Sequence, residues 1–376
     1  MIKSITLSNF FSFAEKQTVE LDPYVNILIG INGSGKSNFI KAIELLSRGI
    51  EEGGMNEVVK EWWDWGNVKN HKFHNDKIPI ELIFTFGGEK TFDTFPEYKK
   101  SDWTYHLKPL SYEDNEGNGI PTSETINFNI EEKPLSFDLK STFADRRLFT
   151  HHLTFKHKAI GKLRSQIEEI VVYNDIDVTS IRKKAANYRK NDTRLNPSIE
   201  NFAGLLYHLY IHYPKYDKIK ELLREVNPYF KDISFIADGL DSIQITMEEG
   251  GLPLEVVIQH ISTGTLKFLA LLAILYNPNR GKVVCLEEPE QGLHPDMIKT
   301  VADGIKHAAR DKTQMIVTTH SPFLLDFFQV DNILVFEKDK DNETRVTRKT
   351  EEDYEGWLGE YTAGDLWMTG KMGGVR

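Results

Sequence analysis

The chain contains a single cysteine, Cys285, in 376 residues. No intramolecular disulfide can form, which fits a reducing, cytoplasmic compartment. Long hydrophobic runs are also missing. The longest, Phe268 to Tyr276, is far too short to cross a bilayer. The opening MIKSITLSNF lacks the apolar segment of a signal peptide, so no export is expected. Positive charge is in deficit: 46 Lys and Arg against 56 Asp and Glu leave a net charge of −10. That argues against a protein coated by nucleic acid, though not against a local basic groove. No apolar heptad pattern is sustained between Asn38 and His260, where Pro and Gly punctuate the chain. A long coiled coil is thereby excluded. Nor does any glutamine occur between Gln17 and Gln166.

What the chain does have is Gly30-Ile31-Asn32-Gly33-Ser34-Gly35-Lys36-Ser37, which fits G-x-x-x-x-G-K-[ST]. Val25 to Ile29 is an apolar run of strand length just before it, and Phe39 to Leu46 reads as a helix just after it. Strand, glycine-rich turn and helix is the context that phosphate binding requires. Glycines let backbone N–H groups turn inward toward phosphate oxygens, and the helix N-terminus adds partial positive charge. The residues expected to hold a nucleotide are Gly30, Asn32, Gly33, Ser34, Gly35, Lys36, Ser37 and Asn38. Lys36 can reach the β- and γ-phosphates, and Ser37 can ligate Mg²⁺.

Three further motifs follow. Lys282 to Leu286 is a buried-strand pattern that ends in Glu287-Glu288. Downstream of a phosphate loop this is a Walker B arrangement. Glu287 would support the Mg²⁺ shell, and Glu288 would accept a proton from the attacking water. Met315 to Thr319 is another apolar strand, ending in His320-Ser321-Pro322. Ser262-Thr263-Gly264-Thr265 opens a helix that runs to Tyr276, with Ser262 as its N-cap. A helix N-terminus bearing Ser and Gly is an anion site.

Taken in order, these motifs resemble the ABC-type ATPases of the RecF/SMC group. IKSITLSNFFSF is similar to the group's opening strand, with Phe11 where an arginine is frequent. CLEEPEQGLHP, Cys285 to Pro295, resembles the LEEPExGLHP form of the OLD-like branch, stand-alone ATPases of bacterial phage-defence and DNA-repair systems. STGTLKFLALLAIL, TTHSPFLLD and YTAGDLWMTGKMGG resemble the same branch. The resemblance covers about the first 50 and the last 150 residues.

The resemblance implies an α/β fold: an ABC-type P-loop ATPase head with a mixed sheet, an antiparallel β-subdomain and an inserted helical lid. It implies Mg²⁺-dependent ATP hydrolysis at a site completed across a two-fold dimer. Lys36, Glu288 and His320 become the catalytic residues, with Ser37 and Glu287 at the metal. His320 would sense the γ-phosphate, and Ser262 and Gly264 would meet the ATP held by the partner. Besides the absence of the long coiled coil of SMC proteins, two departures stand out. Glu287 occupies a position where aspartate is commoner. The group often uses a Q-loop glutamine to link Mg²⁺ to the coupling surface, and another residue or backbone group must do that here.

The middle of the chain is less regular. Residues 78–87, Trp103 to Leu107 and Thr122 to Ile130 read as antiparallel strands, with a hairpin turn at Asp114 to Gly119. Residues 135–165 and 178–226 read as mainly helical, with Ile167 to Tyr173 between them returning to the sheet. Arg182, Lys183, Lys184, Arg189, Lys190 and Arg194, with Tyr188 among them, form a dense basic cluster. It could track a DNA or RNA backbone, dock an acidic partner subunit, or be a solvated face. His208 and His212 have helical metal-ligand spacing, but no third ligand is evident and a structural role is favoured. Asp339-Lys340-Asp341 reads as a charged hairpin turn rather than a nuclease site.

The expected organisation is residues 1–135 as the first part of the head, with P-loop and β-subdomain, and 136–226 as the helical lid. Residues 227–376 complete the head with signature, Walker B and switch histidine. The expected role is a cytoplasmic ATPase, a homodimer or a higher oligomer built from dimers, that regulates a separately encoded effector, a nuclease, in anti-phage defence, with no membrane contact. A RecF-like DNA-binding repair ATPase is the alternative. An ATPase subunit of a membrane transporter is disfavoured by the absent Q-loop glutamine and the incomplete LSGGQ.

Overall fold

The computed structural model describes residues 1–50, 54–62, 64–73, 78–87, 102–109, 122–128, 135–140, 158–182, 186–187, 192–237 and 242–373. Its centre is a sheet in which parallel strands run in the order Ile333–Lys338, Val25–Ile29, Gln314–Thr318, Val283–Glu287 and Ile170–Tyr173. Thr344–Arg348 adds an antiparallel edge by a hairpin. Val25–Ile29 and Gln314–Thr318 are buried at every position. That is how strands read when both faces of a parallel sheet are covered.

Alternation along these strands feeds two cores. Ile27, Ile29, Val284, Leu286, Met315 and Val317 belong to one, together with the helices Phe202–His212, Tyr216–Val226, Thr263–Leu275 and Pro295–Arg310. Leu28, Val283, Cys285 and Ile316 belong to the other, with the helix Lys36–Arg48 and a second sheet. Gly304 lets two of these helices approach closely. A Cβ there would lie 2.9 Å from Cδ1 of Leu275 on the helix that opens with Ser262.

The second sheet is antiparallel throughout, in the order Gln17–Glu20, Ile2–Ser8, Glu81–Phe86, Trp103–Pro109, Thr122–Phe128 and Leu135–Lys140. Cross-strand neighbours Phe86 and Trp103 stack with ring centroids 4.0 Å apart. A third sheet pairs Phe230–Ala237 with Ser242–Glu249.

One expectation needs correcting. Leu135–Lys140 is a strand, not the start of a helical segment. Its sequence alternates apolar and polar residues, a period-two pattern suited to a sheet edge. Helix does follow at Lys158–Ile167, Phe202–His212 and Tyr216–Val226. Phe202, Leu205, Leu206, Leu209, Ile219, Leu222 and Leu223 are buried in the core beneath the central sheet. The segment 167–173 does return to that sheet, as its edge strand Ile170–Tyr173. The turn expected at Asp114 to Gly119 lies outside the described residues. Among the described residues the longest helix is Pro295–Arg310, 16 residues, so no long coiled coil is present there. No helix among them is long and apolar enough to cross a membrane.

Candidate nucleotide site

In a parallel sheet the carboxyl ends of the strands share one edge, which is where ligands bind. Here the P-loop follows Val25–Ile29, His320 follows Gln314–Thr318, and Glu287 ends Val283–Glu287. The strands are direct neighbours. Residues far apart in sequence therefore converge.

Gly35 has φ 110°, a conformation that other residues rarely adopt, and the side chains of Ser12 and Thr344 close over it. The Thr344 hydroxyl donates to the carbonyl of Ser34 and shares a hydrogen bond with Oγ of Ser12, each at 2.7 Å. The amide of Asn38 also donates to Ser12, at 2.8 Å. The hairpin at the sheet edge thus braces the loop. Asn32, Gly33 and Ser37 are exposed, whereas Ser34 is buried with its Oγ unpaired among the described residues.

Lys36 is 5% exposed, and its Nζ donates to the carbonyls of Gly30 and Ile31 at 2.8 and 3.3 Å. Burial lowers its pKa to about 8, against the upward pull of Glu288 and Glu287. The hydroxyl of Ser37 donates to Oε2 of Glu287 at 2.7 Å. Burial pushes the Glu287 carboxyl above the usual carboxylate range, with the Ser37 bond opposing and the nearby charges of Glu44 and Glu288 adding to the rise.

Glu288 carries φ 43°, a strained value for a side chain of its size. Its N–H is held by the carbonyl of Thr318 at 3.1 Å. Oε1 of Glu288 lies 3.5 Å from Nε2 of His320. Burial and the charge of Lys36 hold the imidazole below its ordinary pKa, against Glu288. Ser262 caps the helix Thr263–Leu275, accepting the N–H of Thr265 at 3.1 Å. A Cβ on Gly264 would meet the carbonyl of Gly292 at 3.1 Å, so the signature turn packs against the loop after Walker B.

Three residues escaped the sequence reading. Glu44, on the P-loop helix, accepts from Arg48 at 2.9 Å and from Nδ2 of Asn174 at 3.1 Å. Asn174 follows the strand beside Walker B. Glu290 accepts from the Thr319 hydroxyl at 2.5 Å and the His320 N–H at 3.2 Å, which fixes the backbone that carries the imidazole. The only sequence hint was the run of acids Glu287, Glu288 and Glu290.

Other candidates resolve differently. Arg194 donates to the carbonyls of Glu168 and Asn279 at 3.0 and 2.8 Å and pairs with Glu169. Arg182 donates to the turn around Ser262. These two arginines are engaged internally, and Lys183, Lys184, Tyr188, Arg189 and Lys190 lie outside the described residues. The rings of His208 and His212 are 4.7 Å apart, and no third metal ligand joins them among the described residues. Asp339 accepts the N–H groups of Asp341 and Glu343 and the Arg345 guanidinium, each at 2.9 Å, as a hairpin turn does.

Comparison with known proteins agrees with this geometry. Residues 25–326 match the family model described as "AAA domain, putative AbiEii toxin, Type IV TA system". The DNA replication and repair protein RecF of Listeria monocytogenes is 28% identical over 102 residues, 26% of this chain and 27% of that protein. RecF of Caldanaerobacter subterraneus is 36% identical over 95 residues, 24% of this chain and 25% of that protein. The matches thus span about a quarter of these relatives. Among solved structures, an Smc head bound to the C-winged helix domain of ScpA aligns with TM-score 0.61 and 15% identity, covering 93% of this chain and 99% of that one. An Smc head with an extended coiled coil, bound to the C-terminal domain of ScpA derived from Pyrococcus furiosus, gives 0.59 and 14%, covering 96% and 99%. The likeness to these heads is one of fold. The chain belongs to the family described as "AAA domain, putative AbiEii toxin, Type IV TA system", and it is similar in part of its sequence to RecF and in fold to Smc heads.

Proposed function

We propose that this chain is a cytoplasmic, Mg²⁺-dependent ATPase whose two-fold dimer closes over ATP, and whose cycle regulates a separate effector, a nuclease, in bacterial anti-phage defence. The observation that carries the enzymatic part is the convergence of Lys36, Ser37, Glu287, Glu288 and His320 at the ends of neighbouring parallel strands. The residues fit the ligands. A half-buried carboxyl whose pKa is raised by desolvation and neighbouring acids suits a divalent cation, and the unpaired Ser34 hydroxyl suits a phosphate oxygen. Ser37 and Glu287 would hold Mg²⁺, which when bound supplies charge neutralisation for the phosphates.

Each side chain has its own task. Lys36 exchanges the carbonyls of Gly30 and Ile31 for phosphate oxygens. Glu288 accepts a proton from water, its carboxylate held by a strained backbone. His320, neutral near pH 7, makes the hydrogen bond that reports the γ-phosphate. Ser262 and Gly264 offer the signature helix N-terminus to the partner's nucleotide.

The defence role is supported by the resemblance of Cys285 to Pro295 to the OLD-like branch, while the family description names a putative toxin of a Type IV TA system. The RecF matches support the repair reading equally, in which the chain binds DNA itself. Steady-state turnover tests the enzymatic core. Lys36→Ala should abolish nucleotide binding, whereas Glu288→Gln should keep it and lose roughly 10²–10⁴-fold in turnover. Equal loss of ATP affinity in both variants would remove Glu288 from its role.

A further inference from the structure

Arg182 follows the short helix Val178–Ile181, which Asp177 caps by accepting the N–H of Thr179 at 2.9 Å. Its Nη2 donates to the carbonyl of Ile261 at 2.9 Å and to the hydroxyl of Thr263 at 3.0 Å. These acceptors flank Ser262, the cap of the signature helix. One nitrogen therefore clamps the turn on both sides of its cap. The Nε of the same guanidinium is buried without a partner among the described residues. A side chain kept for stability alone would be expected to pair its buried donors. This one gives up a bond to hold the turn.

The segment that ends in Arg182 also reaches the metal side of the site. Asn174 donates at 3.1 Å to Glu44, which lies on the P-loop helix Lys36–Arg48. The segment from Asn174 to Arg182 thus touches Glu44 on the P-loop helix and the turn that would serve the opposite nucleotide.

We propose that Arg182 is a positioning residue that holds the Ser262–Thr265 turn in its receiving shape. The proposal rests on the dimeric ATP site above. It also separates Arg182 from the basic cluster: its charge serves the signature turn rather than a polyanion.

The test uses Arg182→Ala and Arg182→Lys in the full chain. Arg182→Ala should bind ATP as the wild type does. Its ATP-driven dimerisation should weaken about 5- to 150-fold, with turnover falling in parallel. Amide exchange should accelerate at Thr265 and Leu266, whose N–H groups bond to Ser262. Arg182→Lys, which keeps the charge and guards against a misfolded alanine variant, should recover part of each effect. Unchanged dimerisation in Arg182→Ala, or a loss of ATP binding as large as the loss of dimerisation, would overturn the proposal. If the wild type itself does not dimerise with ATP, the dimeric reading fails. Exchange at Thr265 and Leu266 then decides, and rates equal in wild type and variants would refute the clamp.

Discussion

The hydroxyl of Ser37 donates to Oε2 of Glu287 at 2.7 Å, joining residues 250 positions apart. This bond sets the P-loop and the Walker B strand in register at the point where a cation would bind. Ser37→Ala should therefore raise the Mg²⁺ concentration for half-maximal turnover by about 10–100-fold. A Mg²⁺ titration of turnover at saturating ATP checks this, and an unchanged midpoint would show that Ser37 does not serve the metal.

The pH dependence of nucleotide binding follows from Lys36. Its folded pKa is lowered from the ordinary lysine value to about 8, chiefly by burial. Phosphate favours the charged ammonium, so binding raises this pKa and takes up protons above pH 8. Affinity should be level just below pH 8 and fall above it, by up to about tenfold per pH unit. The folding linkage has a definite sign. With the folded pKa below the unfolded one, the unfolded state holds more protons between them, so the Lys36 contribution raises stability with pH above about 8. Calorimetry at pH 8.5 in buffers of different ionisation heat measures the proton uptake. No uptake would mean that Lys36 stays charged in the free protein.

Arg194 tests how the basic cluster divides. It ties the carbonyl of Glu168, just before an edge strand, to that of Asn279 and to Glu169. Arg194→Ala should cost about 1–3 kcal/mol of stability while leaving the salt dependence of any DNA binding unaltered. The joint substitution of Lys183, Lys184 and Lys190 to Ala separates the rest of the cluster from Arg194. On the repair reading it should flatten the salt dependence. Denaturant melts and DNA titrations at several salt concentrations separate the two. Equal stability of Arg194→Ala and wild type would return that arginine to the cluster.

The sequence was most legible where one short stretch contains both an element and its chemistry. Val25–Ile29 followed by three glycines, Lys36 and Ser37 announces strand, turn and helix together. Val283–Glu287 announces a buried strand by composition and its site by the acids that end it. What stayed hidden depends on contacts between distant segments. Glu44 reads as an ordinary helical acid until Asn174, 130 residues away, is seen to donate to it. Arg182 reads as one of a run of cations until its guanidinium is found on the carbonyl of Ile261. Leu135–Lys140 was misread for a local reason: six residues of alternation were outweighed by the helical pattern expected around them.

On the proposed function, ATP joins two copies of this chain across the P-loop and the signature turn. The most direct measurement is the mass of Glu288→Gln in solution, by light scattering or sedimentation, without nucleotide and with ATP and Mg²⁺. The account predicts a monomer that becomes a dimer with ATP, a shift that is lost when Lys36→Ala or Ser262→Arg is added. A protein that stays monomeric at saturating ATP would contradict it, as would a dimer that forms equally well in the Lys36→Ala and Ser262→Arg variants.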